Sequence, residues 1–193
     1  ASSPAVADYT TRTTVSPESK DRVGARAAQL VEPGMTVLLD GGTTSLAVVR
    51  ALPADLRCTV VTHSPTVAVA LLPYEGVEVL ILGGRLFRHS AVTSGAAAVE
   101  AAAGVSADLF LLGVTGVHPE EGLTTGDADE AAMKRALSRR SAETIALASE
   151  EKIGAVSRYR VLPLDEVTAV VADTTDSTAT ARLRERGVTV VGA

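Results

Sequence analysis

Residues 36–45 read TVLLDGGTTS, and TSLAVVRAL (44–52) runs on from them. The first five residues form an apolar run ending in an acid, which suits a strand buried on both faces. Two glycines and three hydroxyl residues make a turn, and an apolar-periodic stretch follows as a helix. The same unit recurs along the chain. CTVVT (58–62) is a strand and SPTVAVALL (64–72) a helix, with Ser64 as cap and Pro65 in its first turn. VEVLILGG (77–84) is a strand ending in glycines, GAAAVEAAAG (95–104) a helix, and ADLFLLGVTGV (107–117) a strand with a glycine-punctuated exit. Then come a helix at 128–142, a strand at 144–149, a strand at 167–173, a helix at 178–187 and a closing strand at 188–192. Upstream, Ser16 and Pro17 start a helix whose Val23, Ala27, Leu30 and Val31 share a face, and EPG (32–34) ends it. Residues 1–15 are polar, without a period, and read as a linker or extended arm. The strands are continuous apolar runs, not alternating ones. That pattern predicts an α/β fold: a three-layer, doubly wound, mostly parallel sheet with helices on both faces.

Open α/β sheets bind ligands beyond the carboxyl ends of their strands. Those ends here supply Asp40, Gly41, Gly42, Thr43, Thr44 and Ser45; then Thr62, His63 and Ser64; then Gly83, Gly84 and Arg85; then Gly113, Thr115 and Gly116; and finally Ser149 with Lys152. Glycine allows a backbone to approach a ligand closely. A helix N-terminus offers amide hydrogens and a positive dipole end to an anion. The turn at 40–45 combines both with hydroxyls, and a phosphate is its most economical ligand. It has neither the GxxxxGK[ST] spacing of a P-loop nor the GxGxxG of a dinucleotide site. Lysine is scarce, with Lys20, Lys134 and Lys152 the only three against 15 arginines, so a lysine at a strand end is a conspicuous anion partner. Glu130 and Lys134 stand four apart on one helix face.

Composition excludes other classes. The formal charge is −5, and no basic run goes beyond two residues, as at Arg139–Arg140, which argues against a nucleic-acid grip by this chain itself. Cys58 is the one cysteine, so the chain can hold neither an internal disulfide nor a cysteine metal cluster. No run of about 18 apolar residues suggests a membrane span, and the polar N-terminus lacks a signal core, which points to a cytoplasmic protein. No cofactor or metal site is expected.

The ordered set VEPGMTVLLDGGTTSLAVVRAL, VVTHS, VLILGGRL, SG, ADLFLLGVTGVHPEEGLTTGDADEAAMKRAL and ALASEEKIG resembles the effector-sensing domain of DeoR-family bacterial transcriptional regulators, from about Lys20 onward. The resemblance implies a fold like ribose-5-phosphate isomerase and the coenzyme A transferases. It also implies a phosphorylated-sugar effector, a homo-oligomer (dimer or tetramer), and operator DNA bound through an N-terminal winged helix-turn-helix that these residues lack. By the same resemblance Asp40, Gly42, Thr43 and Thr44 meet the phosphate or sugar hydroxyls, and Glu130, Lys134 and Lys152 face the pocket. Two positions depart from the family pattern. His63 replaces an asparagine and can serve as a hydroxyl partner. Ser149 stands where an aspartate is usual, which implies an altered ligand preference. The alanine-rich helix and the final strand are candidate interfaces.

Two functions stay open at this point. One is a ligand-sensing domain with no catalytic residue. The other is a sugar-phosphate isomerase of the same fold, which needs a general base and a donor to steady an enediolate. The acidic cluster and following lysine of the isomerases are not matched. Asp108 precedes the strand core, Thr125 sits where a lysine is wanted, and Asp40 alone is left to act as base.

Overall fold

The computed structural model describes residues 3–174 and 176–193; the first two residues of the arm lie outside the described residues. A 3₁₀ turn (Pro4–Val6) and a four-residue helix α1 (Tyr9–Arg12) precede α2 (Pro17–Ala28). Then follow β1 (Thr36–Leu39), α3 (Thr43–Ala51), β2 (Cys58–Thr62), α4 (Pro65–Ala70), β3 (Val77–Ile81), β4 (Arg85–Phe87), β5 (Val92–Ser94) and α5 (Ala96–Ala103). The second half holds β6 (Ala107–Gly113), β7 (Gly116–His118), β8 (Gly122–Thr125), α6 (Ala128–Ser138), β9 (Ser141–Ala148), β10 (Tyr159–Leu162), β11 (Ala169–Ala172), α7 (Thr178–Glu185) and β12 (Thr189–Gly192).

Seven strands form one sheet in the order β12-β11-β9-β6-β1-β2-β3, parallel at every pairing. Its strands are apolar throughout because both faces are covered. In β6, Phe110 and Leu112 pack with Ala98 and Ala102 of α5, Met133 and Leu137 of α6 and Leu183 of α7. Leu109 and Leu111 point the other way, into a layer with Val23 and Ala27 of α2, Val48 and Val49 of α3 and Val67 of α4. These are the three layers that the continuous runs predict. The alanine-rich helix buries Ala98 and Ala102 inside the chain. The exposed large apolar side chains instead include Val69 and Leu72, on and just beyond α4, and Leu80 and Ile81 on the edge strand β3.

The short elements were not predicted. A β4–β5 hairpin and a β10-β8-β7 sheet, both antiparallel, rise from the strand-end side. Ser16 does not cap α2 with its side chain; it adopts a left-handed conformation, and its hydroxyl donates to Glu150 at 3.1 Å. The arm is not extended: Tyr9 N donates to His89 O at 2.8 Å, and Ala5 is buried.

Helices α2 and α3 cross closely at Gly24. A Cβ there would lie 2.5 Å from the Ala47 carbonyl carbon, which is backbone that cannot step aside. Gly24→Ala is expected to destabilise the fold by about 1–3 kcal/mol through overpacking. Urea denaturation checks this; an unchanged midpoint would show that the crossing has slack.

Candidate functional site

The sheet order reverses at β1. The chain runs β1, β2, β3 in one direction, then returns to place β6 on β1's other side. Ligand crevices of open α/β folds open at such switch points. Asp40 follows β1 there, and Gly113 ends β6.

Asp40 is fully buried and makes the floor. Its Oδ1 accepts from Gly41 N at 2.8 Å and bonds His63 Nε2 at 2.7 Å. Its Oδ2 accepts from Gly113 N at 2.9 Å and from Lys134 Nζ at 2.5 Å. Burial alone would raise this carboxyl's pKa, but Lys134 and His63 outweigh it and hold the group well below the usual carboxylate range. Gly41 is required by space, since a Cβ there would sit 2.2 Å from Val92 Cγ1. Gly42, before the first turn of α3, has φ +108°, a region that favours glycine.

A cavity of about 30 Å³ opens above this floor, lined by Gly41, Gly42, Thr43 and Thr44 from the turn and by Glu130, Lys134 and Lys152. Thr115 and Thr125 also line it. Lys152 Nζ donates to Thr44 Oγ1 at 2.9 Å, and Ser90 Oγ donates to Glu130 at 3.0 Å. Burial pushes the Lys152 ammonium down to about 8, against the opposing pull of Glu151.

The structure thus gathers eight of the predicted residues: Asp40, Gly41, Gly42, Thr43, Thr44, Glu130, Lys134 and Lys152. Five others stand elsewhere. His63 lies behind Asp40, fully buried, with Nδ1 on Thr93 O at 2.8 Å, so it supports the floor and offers nothing to a hydroxyl in the cavity. Ser64 accepts from Val67 N as the cap of α4. Gly84 packs against Ala98 and Ser94 at the base of the β4–β5 hairpin, and Arg85 is exposed on β4. Gly116 is pressed against Ala155 O, where a Cβ would come within 2.3 Å. Asp108 accepts from Thr36 N at 2.8 Å at the opposite end of the sheet from the cavity.

The sequence reading left three charged lining residues unassigned. Arg12 reaches in from α1, Lys20 from α2, and Glu151 from the turn before Lys152. Scarcity was the available signal for Lys20. All three lysines of the chain line this one cavity, with exposures of only 4% for Lys20, 4% for Lys134 and 6% for Lys152. Ser149 holds Glu151 by donating to its Oε1 at 2.8 Å, so a carboxylate two residues on enters the cavity where residue 149 has none. Four cations therefore face three carboxylates: Arg12, Lys20, Lys134 and Lys152 against Asp40, Glu130 and Glu151. Lys134 is matched by Asp40, which leaves the cationic side in excess.

A cavity with cations in excess thus stands at the switch point of a doubly wound α/β sheet. Residues 15–174 match the DeoR C terminal sensor domain, and the chain belongs to that family. It is 32% identical over 181 residues to the HTH-type transcriptional repressor GlcR of Bacillus subtilis (strain 168), covering 94% of this chain and 69% of that protein. It is 33% identical over 175 residues to the HTH-type transcriptional regulator GlpR of Haloferax volcanii, covering 90% of this chain and 68% of that protein. The glycerol-3-phosphate regulon repressor of Escherichia coli (strain K12) is 27% identical over 81% of this chain and 62% of its own length. Among solved structures, the full-length sorbitol operon regulator SorC from Klebsiella pneumoniae superposes with a TM-score of 0.53 at 14% identity, over 92% of this chain and 75% of that one. Ribose 5-phosphate isomerase A from Neisseria gonorrhoeae gives 0.53 at 18% identity, over 75% of this chain and 56% of that one. Both likenesses establish the fold. No helix among the described residues is long and apolar enough to cross a membrane.

Proposed function

We propose that the cavity binds a phosphorylated sugar or related metabolite, and that its occupancy changes operator binding by a longer regulator of which these residues are the sensor. In that reading residues 1–15 link the sensor, residues 16–193, to a winged helix-turn-helix. The observation that carries it is the convergence of all three lysines on the cavity that the Gly42–Thr44 turn lines, where a helix N-terminus adds its amides. A relative named as a glycerol-3-phosphate regulon repressor supports the same reading.

An isomerase is the less favoured reading. Asp40, the candidate base, is engaged by two backbone amides, His63 and Lys134, and its depressed pKa makes it a weak proton acceptor. A homo-oligomer is supported by the exposed Leu72 and Ile81 near one sheet edge; Leu72→Glu with Ile81→Glu is expected to lower the mass measured by light scattering.

The test is thermal stability across a panel of phosphorylated sugars, each beside its unphosphorylated form. A ligand at 100 times its Kd is expected to stabilise the domain by about 2.7 kcal/mol. The response should require the phosphate and weaken in Thr43→Ala. Any stabilising compound is then incubated with the protein, and its isomers are quantified. Turnover would move the assignment to the enzyme, and the absence of any phosphate-dependent shift would remove the ligand class.

A further inference from the structure

Arg12 lies outside residues 15–174, the part matched to the sensor domain. Its guanidinium nevertheless enters the cavity, with Nη1 at 3.9 Å from the point where a Cβ on Gly42 would stand. Its Nε and Nη2 are buried and have no hydrogen-bond partner. Orphaned donors on a buried cation are costly, and a folded protein keeps them where something else satisfies them. Burial lowers the pKa of the group, while Glu130 and Asp40 act in the opposite direction. Glu130 and Arg12 both line the 30 Å³ cavity and an adjoining one of about 320 Å³ that reaches Asp127, Phe87 and His89. The smaller chamber has room for about two waters, and the larger can hold a sugar-sized body. Arg12 stands where the two meet.

We propose that Arg12 is a ligand-binding residue that clamps the effector's anionic group from outside the stretch matched to the sensor domain, so that occupancy fixes the N-terminal segment onto the domain. The inference rests on the anion-binding reading of the same cavity. Its chemistry is a forked, charge-assisted pair of hydrogen bonds from Nε and Nη2 to two oxygens of a phosphate at the Gly42–Thr44 turn. The segment is held to the body by few bonds. Lys20 Nζ donates to Arg12 O at 2.6 Å, His89 Nε2 meets Val6 O at 3.0 Å, and Tyr9 N donates to His89 O. The residues from Asp8 to Thr14 are largely exposed. An anion gripped by Arg12 and Lys152 therefore joins the N-terminal segment to the strand-end side of the sheet. Lys20, through the Arg12 carbonyl, ties that grip to the start of α2.

The experiment compares wild type, Arg12→Ala, Arg12→Lys and Lys152→Ala by calorimetry, with inorganic phosphate and ribose 5-phosphate as probes and ribose as control. Arg12→Ala is expected to weaken the phosphorylated probes about ten- to a hundredfold. Arg12→Lys should recover only part, because the fork is lost. In phosphate-free buffer the melting temperature of Arg12→Ala should match or exceed wild type, since the substitution removes orphaned donors; a merely structural arginine would lower it. Trypsin cleavage after Arg12, read by mass spectrometry, should slow about tenfold at a probe concentration ten times Kd, as the open population shrinks. Unchanged affinity in Arg12→Ala, with Lys152→Ala impaired, would overturn the clamp and leave the anion site standing. No binding of either phosphorylated probe by wild type would overturn both.

Discussion

Asp40→Ala is expected to cost about 3–5 kcal/mol of folding stability, the largest effect of any single substitution near the cavity. The carboxylate carries four partners: Gly41 N, Gly113 N, His63 Nε2 and Lys134 Nζ. Removing it leaves a lysine that is 4% exposed without its counter-charge. It also strips acceptors from the last amide of β6, next to the switch point. Against a typical domain stability of about 5–15 kcal/mol, the urea midpoint should fall by about a fifth or more. The cost lies mainly in the orphaned ammonium, so Asp40→Asn combined with Lys134→Met should be more stable than Asp40→Ala alone. The cycle of single and double variants gives the coupling directly. The sign with pH follows from the depressed carboxyl. Its contribution is fully present above the unfolded value near 4 and is lost as pH falls toward the folded one. Acid denaturation of wild type should therefore be steeper below pH 4 than that of the double variant. A loss under about 1 kcal/mol in Asp40→Ala would mean that the floor of the cavity is held by the glycine turn and not by the ion pair.

The sheet was legible because its physics leaves a trace in every strand. Phe110 and Leu111 are both apolar because they face opposite covered faces, and no alternating antiparallel strand reads that way. The floor and turn, Asp40 to Thr44, were legible for a related reason, as β1 lies inside the sheet, between β6 and β2, at the switch point. The same strand-end logic failed at Gly84 and Arg85. β3 is the edge strand, two places from β1, so its exit lies away from the crevice. Strand order is a long-range property that apolar periodicity does not carry. β4, β5 and β7 are three residues each, too short to show a period, though Phe87 of β4 and Val92 of β5 line the two cavities. Arg12 and Glu151 were missed because charged residues in aperiodic segments look the same whether they face water or a cavity. His63 was placed in the right neighbourhood with the wrong task. A histidine at a strand end can meet a ligand or a carboxylate, and Asp40 lies 2.7 Å away.

Affinity for a phosphorylated ligand is expected to fall above about pH 8, by close to tenfold for each further pH unit. Lys152 carries this dependence. Burial holds its ammonium near 8 in the ligand-free protein, far below the ordinary lysine value. A phosphate dianion placed beside it favours the charged form and raises that pKa. Binding and protonation are then linked, and the ligand takes up a proton wherever the free protein has lost one. At pH 7 the lysine is already mostly charged and affinity is near its plateau. At pH 9 about nine free molecules in ten must first be protonated, as a pKa near 8 requires. The ligand-free protein should show the opposite trend from this group. Its folded pKa lies below the unfolded one, so between about pH 8 and 10.5 the unfolded chain binds the extra proton and this group's contribution to stability rises with pH. Calorimetry between pH 7 and 9.5, in buffers of different ionisation enthalpy, measures both the affinity and the proton uptake. Lys152→Met removes the titrating group and should bind about tenfold or more weakly at pH 7 with a nearly flat profile. Uptake near half a proton at pH 8 in wild type, absent in Lys152→Met, is the expected result. A wild-type profile as flat as the variant's would place the anion away from Lys152, and with it away from the Gly42–Thr44 turn that Lys152 touches through Thr44.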